Sequence, residues 1–148
     1  MYRQGSGWFG QKSPNIKIPV EGRGDKNKAD FVLQELPGLV KVGPPYAVLN
    51  VGQNFTVKMI FKNSGNSTWT WGKYKLGSQM PANNLTWLID QISLDSRETI
   101  KPGEFKTFTF NAVVPNKPGI YDFQWQMFEE GVGWFGNKSP VVKITVLK

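Results

Sequence analysis

The groups able to do chemistry in this chain are carboxylates and aromatic rings. Histidine and cysteine are both absent, which removes Ser-His-Asp and Cys-His nucleophile pairs, thiolate metal sites and the commonest zinc ligands. Acid–base work would fall to Asp and Glu, and Glu129-Glu130 with Asp122 comes nearest to the paired carboxylates a glycosidase needs. Adjacent strand residues point to opposite faces, however, so Glu129 and Glu130 read as a charged, solvated strand end. Asp90, Asp95 and Asn83 or Asn84 offer oxygen ligands, but without the alternating acids of a calcium loop. The expectation is therefore no catalytic residue, no metal and no cofactor.

The rings carry the stronger binding signal. Trp71, Tyr74, Trp87, Trp134 and Phe135 lie in or beside turn-rich runs. A flat ring with a free face stacks on a sugar, a base or a partner's apolar side chain, and Gln79, Asn83 and Asn84 would supply hydrogen bonds nearby. The same rings can equally cap the open ends of a β-sandwich. Trp69 and Trp125 are assigned to the core, because each falls on the apolar parity of its run.

The elements that must position these rings have a period of two. Phe55, Val57, Met59 and Phe61 alternate with Thr56, Lys58 and Lys62; Phe108, Phe110, Ala112 and Val114 alternate with Thr109 and Asn111. Tyr121, Phe123, Trp125 and Met127 form a third apolar face, followed by GVGWFGN as a turn and by Val142, Ile144 and Val146 as the return strand. Trp69 and Trp71 share one parity, and Asp30 to Leu36 reads as a short strand. Pro44-Pro45 places the run through Leu49 at a sheet edge, because proline donates nothing to a ladder. Pro102-Gly103 and Pro118-Gly119 mark turns. No 3.6-residue pattern persists for three turns, so the fold class is all-β: an immunoglobulin-like antiparallel β-sandwich of seven to eight strands.

The start of the chain repeats its end. Met1 to Val20 aligns without a gap on Met127 to Val146, and from Gly5/Gly131 to Val20/Val146 eleven of sixteen residues are identical, a period of 126. The simplest organisation is a tandem array: residues 1–20 are the C-terminal hairpin remnant of a preceding repeat, or alternatively a strand that pairs subunits, 21–29 are a linker, and 30–148 are the intact domain. The linker contains Arg23-Gly24-Asp25, a tripeptide that recurs easily by chance.

The formal charge is +7. Residues 1–29 hold six Lys or Arg against two acids, and the rest hold twelve against nine, so much of the basicity precedes the domain. Only Arg3, Arg23 and Arg97 are arginines, too few for a nucleic-acid surface. No apolar run reaches the length of a membrane span.

Asn63-Ser64-Gly65 followed by Trp69, then PGIYDFQWQM at Pro118 to Met127, then Phe135-Gly136, resemble the four-tryptophan (FW) domain. This is the Ig-like module of autophagy cargo receptors, also found in bacterial multidomain proteins. The resemblance spans about Val48 to Val146. Trp69 and Trp125 match two of the four tryptophans, whereas Met59 and Val141 stand where the others would be, so the chain looks like the bacterial branch. It implies a module that binds or spaces, without catalysis; the expected setting is a larger bacterial protein at the cell surface or secreted. The expected partner is a protein or a neighbouring copy of the chain; a glycan held on Trp71, Trp87 and Trp134 is the alternative.

Overall fold

A computed structural model describes residues 26–36 and 46–148. The remnant at 1–20, most of the linker, Pro37-Gly38 and Pro44-Pro45 lie outside the described residues. Every regular element described is a strand: β1 Ala29–Glu35, β2 Tyr46–Asn50, β3 Asn54–Asn63, β4 Trp69–Thr70, β5 Tyr74–Ser78, β6 Gln91–Ser93, β7 Thr99–Ile100, β8 Phe105–Val113, β9 Gly119–Phe123, β10 Trp125–Glu129, β11 Gly133–Lys138 and β12 Val142–Leu147.

Two layers face each other. One is β1-β3-β8. The other combines β11-β10-β5-β6 with β2-β12-β9, because β9 runs into β10 through Gln124 and β11 runs into β12 through Ser139 to Val141. Counted as continuous runs, with the two-residue β4-β7 ladder set aside, there are eight strands among the described residues. The expected hairpin from Gly119 to Val146 is therefore present, but its turn is Glu130 to Val132, and the GWFG run is strand rather than turn. One ladder departs from an antiparallel fold, since β2 lies parallel to β12 at the edge of its sheet.

Both long strands of the hairpin break at one point. Pro140 has no amide to give to a ladder, and the β10–β11 register shifts just before it, between the Met127–Phe135 and Gln126–Lys138 pairs. Ser139 repairs the gap by accepting the Trp125 amide on its Oγ at 2.8 Å, while its own amide donates to the Trp125 carbonyl at 2.8 Å. Gln124 Nε2 adds a bond to the Ser139 carbonyl. A buried serine thus restores backbone satisfaction where proline removes it.

The core follows the alternation. Phe55, Val57, Met59 and Phe61 of β3 and Phe108, Phe110 and Ala112 of β8 are buried, and they meet Phe123 and Trp125 from the other layer. Phe110 packs edge-on to Trp125 with centroids 5.0 Å apart, and Phe55 lies 5.9 Å from Phe123. At roughly 25 cal/mol per Å2 of apolar surface, each such ring contributes several kcal/mol before entropy is subtracted. The parity of β3 carries on to Asn63, whose buried Nδ2 donates to the carbonyls of Ser67 and Ile100 at 2.8 Å each, while its Oδ1 accepts the Gly65 amide. The Asn-Ser-Gly turn is therefore pinned from inside the core.

The domain starts earlier than the linker boundary predicted. Lys26 accepts the amides of Asn66 and Ser67 on its carbonyl at 3.1 Å, and the Lys28 carbonyl accepts that of Ser64. Residues 26–29 belong to the sandwich, with Ala29 buried. Gly136 explains how β1 and β11 close together: a Cβ at this position would stand 2.7 Å from the Ala29 carbonyl oxygen, and its φ of +77° is one that side chains avoid.

Candidate functional site

The five candidate rings have different fates. Trp87 is a correction: it is 1% exposed, boxed edge-on by Phe55, Tyr121 and Phe123 at 5.9, 6.1 and 5.4 Å, and has no face for a ligand. Its neighbours Leu85 and Leu88 are the exposed ones. Tyr74 is also buried, between Trp69 and Phe135, and Phe135 is half-buried against the same pair. Trp134 lies over Phe128 at 5.0 Å, in space that Gly77 leaves open: a Cβ on Gly77 would come within 2.6 Å of the indole. Trp71, at 58% exposure, is the most exposed of the five, and Trp134 is half-buried. Trp71 does not share the direction of buried Trp69, because the strand ends at Thr70 and the chain turns through Gly72 at φ +83°.

Tyr74 and Trp71 belong to one end of the sandwich, where the described chain begins. Here the turn Trp71-Gly72-Lys73 meets the turn Glu130-Gly131-Val132, joined by the Glu130 amide donating to the Lys73 carbonyl at 2.7 Å. Beneath them Glu129 is 2% exposed, which corrects its reading as a solvated strand end. Its Oε1 accepts a bond from Asn27 Nδ2 at 2.6 Å. The ammonium groups of Lys26 and Lys73 stand 3.7 and 3.8 Å from its two oxygens, and Tyr74 donates its hydroxyl to Asn27 Oδ1 at 3.1 Å. Burial, and then the charge of Glu129, push the Tyr74 phenol above its usual pKa, with a hydrogen bond to Ser67 opposing them.

This arrangement clamps the N-terminal segment and does not build a paired acid and base. Asp122 sits in β9 beside Lys143, away from Glu129 at the end of β10, and Glu130 reaches outward to Lys75 at 2.9 Å. Two of the oxygen ligands considered for calcium are used locally: Asn84 Oδ1 accepts the Thr86 amide, and Asn83 Oδ1 accepts from Gln91 Nε2. Among the described residues no group of three or more acidic side chains is gathered as a metal site.

A family model described as the Ig-like domain from next to BRCA1 gene matches residues 44–146. The chain belongs to that family. The matched segment takes in β3, β8 and both long strands of the hairpin, the elements that carry the core of this Ig-like domain. Among solved structures, a Niemann-Pick type C2 protein from Japanese carpenter ant is similar in fold, with 8% identity, 82% of this chain and 95% of that chain covered, and a TM-score of 0.50. A CARDB domain of a Pyrococcus furiosus protein, solved in complex with di-metal ions, matches with 17% identity over 81% of this chain and 86% of that chain, at a TM-score of 0.47. No curated protein sequence matches. Membership of an Ig-like family supports a non-catalytic binding or structural module.

Sequence reasoning missed Glu129 and Asn27. The parity of β10 was the available signal, since Glu129 continues the inward set Tyr121, Phe123, Trp125 and Met127. Nothing local showed that Asn27, 102 positions away, supplies its partner.

Proposed function

We propose that this chain is a non-catalytic protein-binding or spacer module in a tandem array of Ig-like domains, of the four-tryptophan type with two tryptophans replaced. Met59, at one replaced position, is fully buried, so the substitution keeps an apolar core residue and removes an indole.

The array reading rests on one observation: residues 5–20 keep what β11 and β12 need. Gly136, required by the approach of Ala29, recurs as Gly10; Ser139, which accepts the Trp125 amide, recurs as Ser13 before Pro14; Phe135 and the buried Ile144 and Val146 recur as Phe9, Ile18 and Val20. The positions that change include exposed Val132 and Asn137, which are Ser6 and Gln11 in the copy. The fully buried positions of 131–146, Ser139, Ile144 and Val146, are all kept, as expected of a segment made for the same place in a second sandwich. The protein-partner reading draws on Trp71 alone, since Trp87 and Trp134 leave no three-ring platform for a sugar.

Removal of residues 1–25 tests the reading. If they belong to another domain, the melting temperature and urea midpoint of 26–148 match those of the full chain. A drop of several kcal/mol, as for a lost core strand, would show that the segment completes this domain and would defeat the array.

A further inference from the structure

We propose that the end of the sandwich carrying Trp71 and Val132 is the surface on which the preceding repeat rests. This deepens the tandem-array reading and depends on it. The described chain enters the domain at this end: Lys26 is held by the amides of Asn66 and Ser67 and by its ion pair with Glu129. It leaves at the opposite end. β12 finishes beside the turn at Val51, whose amide donates to the Leu147 carbonyl, and Val146 pairs with Gly119 at the start of β9. From Gly119 to Glu129 the strand pair β9–β10 spans about 33 Å at ~3.3 Å per residue, so entry and exit lie at two poles.

The distance available to a preceding domain follows from the repeat. Val20 is the counterpart of Val146, and Glu21 of Leu147, the last residue of β12. Only Gly22-Arg23-Gly24-Asp25 then separates the end of that domain from Lys26. Five Cα steps reach at most about 18 Å when fully extended, less than the width of a sandwich domain. The exit pole of the preceding repeat is therefore held within about 18 Å of this entry pole.

The entry pole offers the right surface for it. Trp71 is 58% exposed and Val132 is 67% exposed, one on each of two turns tied by the Glu130–Lys73 bond. Gly72 and Gly131, at φ +83° and +78°, would have nothing within 4 Å of a Cβ, so both turns stand clear of the rest of the domain. The exit pole is apolar as well. Near it, on the outer face of the sheet, Val48 and Ile120 flank Thr145 across β2, β12 and β9, and Val48, Ile120 and Leu147 are exposed. Two such surfaces held together by a four-residue connection associate without the entropy cost of a bimolecular encounter.

Hydroxyl-radical footprinting of the parent protein, read by mass spectrometry against the dilute 148-residue chain, tests the contact. In the parent, oxidation at Trp71 should fall roughly fivefold as its exposed area is covered, with Leu88, on a different loop, unchanged. A Trp71→Ser, Val132→Ser parent should show a broader distribution of interdomain distances by small-angle scattering while its melting temperature holds. Equal oxidation of Trp71 in parent and single chain, beside a complete preceding repeat, overturns the contact and leaves the array standing. A parent reading frame with no complete preceding repeat overturns both.

Discussion

The middle of the sandwich and its entry pole solve the same packing problem with opposite chemistry. Across β3 and β8 the buried positions before Asn63 are apolar and aromatic, and each such side chain can be exchanged for another of similar volume at modest cost. At the entry pole the buried position is Glu129, closed by Asn27, Tyr74 and two lysines drawn from two separate segments, 26–27 and 73–74. The middle is held by area; the pole is held by matched donors and acceptors. A core of the first kind tolerates drift, whereas a polar cluster of the second kind ties a particular segment, here the one bearing Asn27, to a particular strand end.

The largest effect is expected from the middle. Trp125 is fully buried and touches rings of both layers, Phe110 at 5.0 Å and Phe123 at 5.8 Å. Trp125→Ala removes that contact area and leaves a cavity, so urea unfolding should show a loss of about 3–5 kcal/mol. Trp125→Phe should cost distinctly less, because the indole Nε1 has no hydrogen-bond partner to lose. If the two variants were equally destabilised, the middle would depend on the specific indole rather than on area, and the contrast with the pole would fail.

That contrast also explains what could be read from sequence. The alternation in β3, β8 and β9–β10 announced the core residue by residue, since a half-buried strand has to place apolar groups at every second position. Trp87 went unrecognised as core because residues 85–90 do not alternate: they form turns, with Leu88 at φ +59°, and the large ring points inward while its leucine neighbours do not. The Trp69/Trp71 pair misled for the converse reason, a strand that stops after two residues. The parallel ladder of β2 on β12 and the clasp of Asn27 on Glu129 are long-range pairings, and no local periodicity encodes them. Gly77 beneath Trp134 is intermediate: glycine within a strand signals a close approach, without saying what approaches.

The next effect in size comes from the pole. Glu129→Ala strands Asn27 Nδ2 without its buried acceptor and should cost about 1–3 kcal/mol in urea unfolding. Glu129→Gln keeps an acceptor in place and should recover most of this loss. The exposed lysines contribute little, as they remain solvated when the carboxylate is gone. Amide exchange offers a second readout: in Glu129→Ala the amides of Ser64, Asn66 and Ser67, which donate to Lys28 and Lys26, should lose protection ahead of those in β3. Uniform loss of protection would mean that pole and middle open as one unit.

The smallest effect is also the most specific to the pole. Tyr74→Phe removes the hydroxyl that bonds Asn27 and should cost about 1 kcal/mol at neutral pH. Burial and the Glu129 charge raise the Tyr74 pKa in the folded protein, so the folded phenol holds its proton where the unfolded phenol, near 10, has lost it. The stability this group contributes is therefore whole below about pH 10 and is lost as pH rises past it. Lysines titrate in the same range, but they are common to both proteins and cancel in the difference. The stability gap between wild type and Tyr74→Phe should accordingly narrow from pH 9 upward, and it should narrow less when both proteins carry Glu129→Gln, because part of the raised pKa comes from that charge. A gap independent of pH would place Tyr74 among the apolar residues of the middle and take it out of the polar clasp.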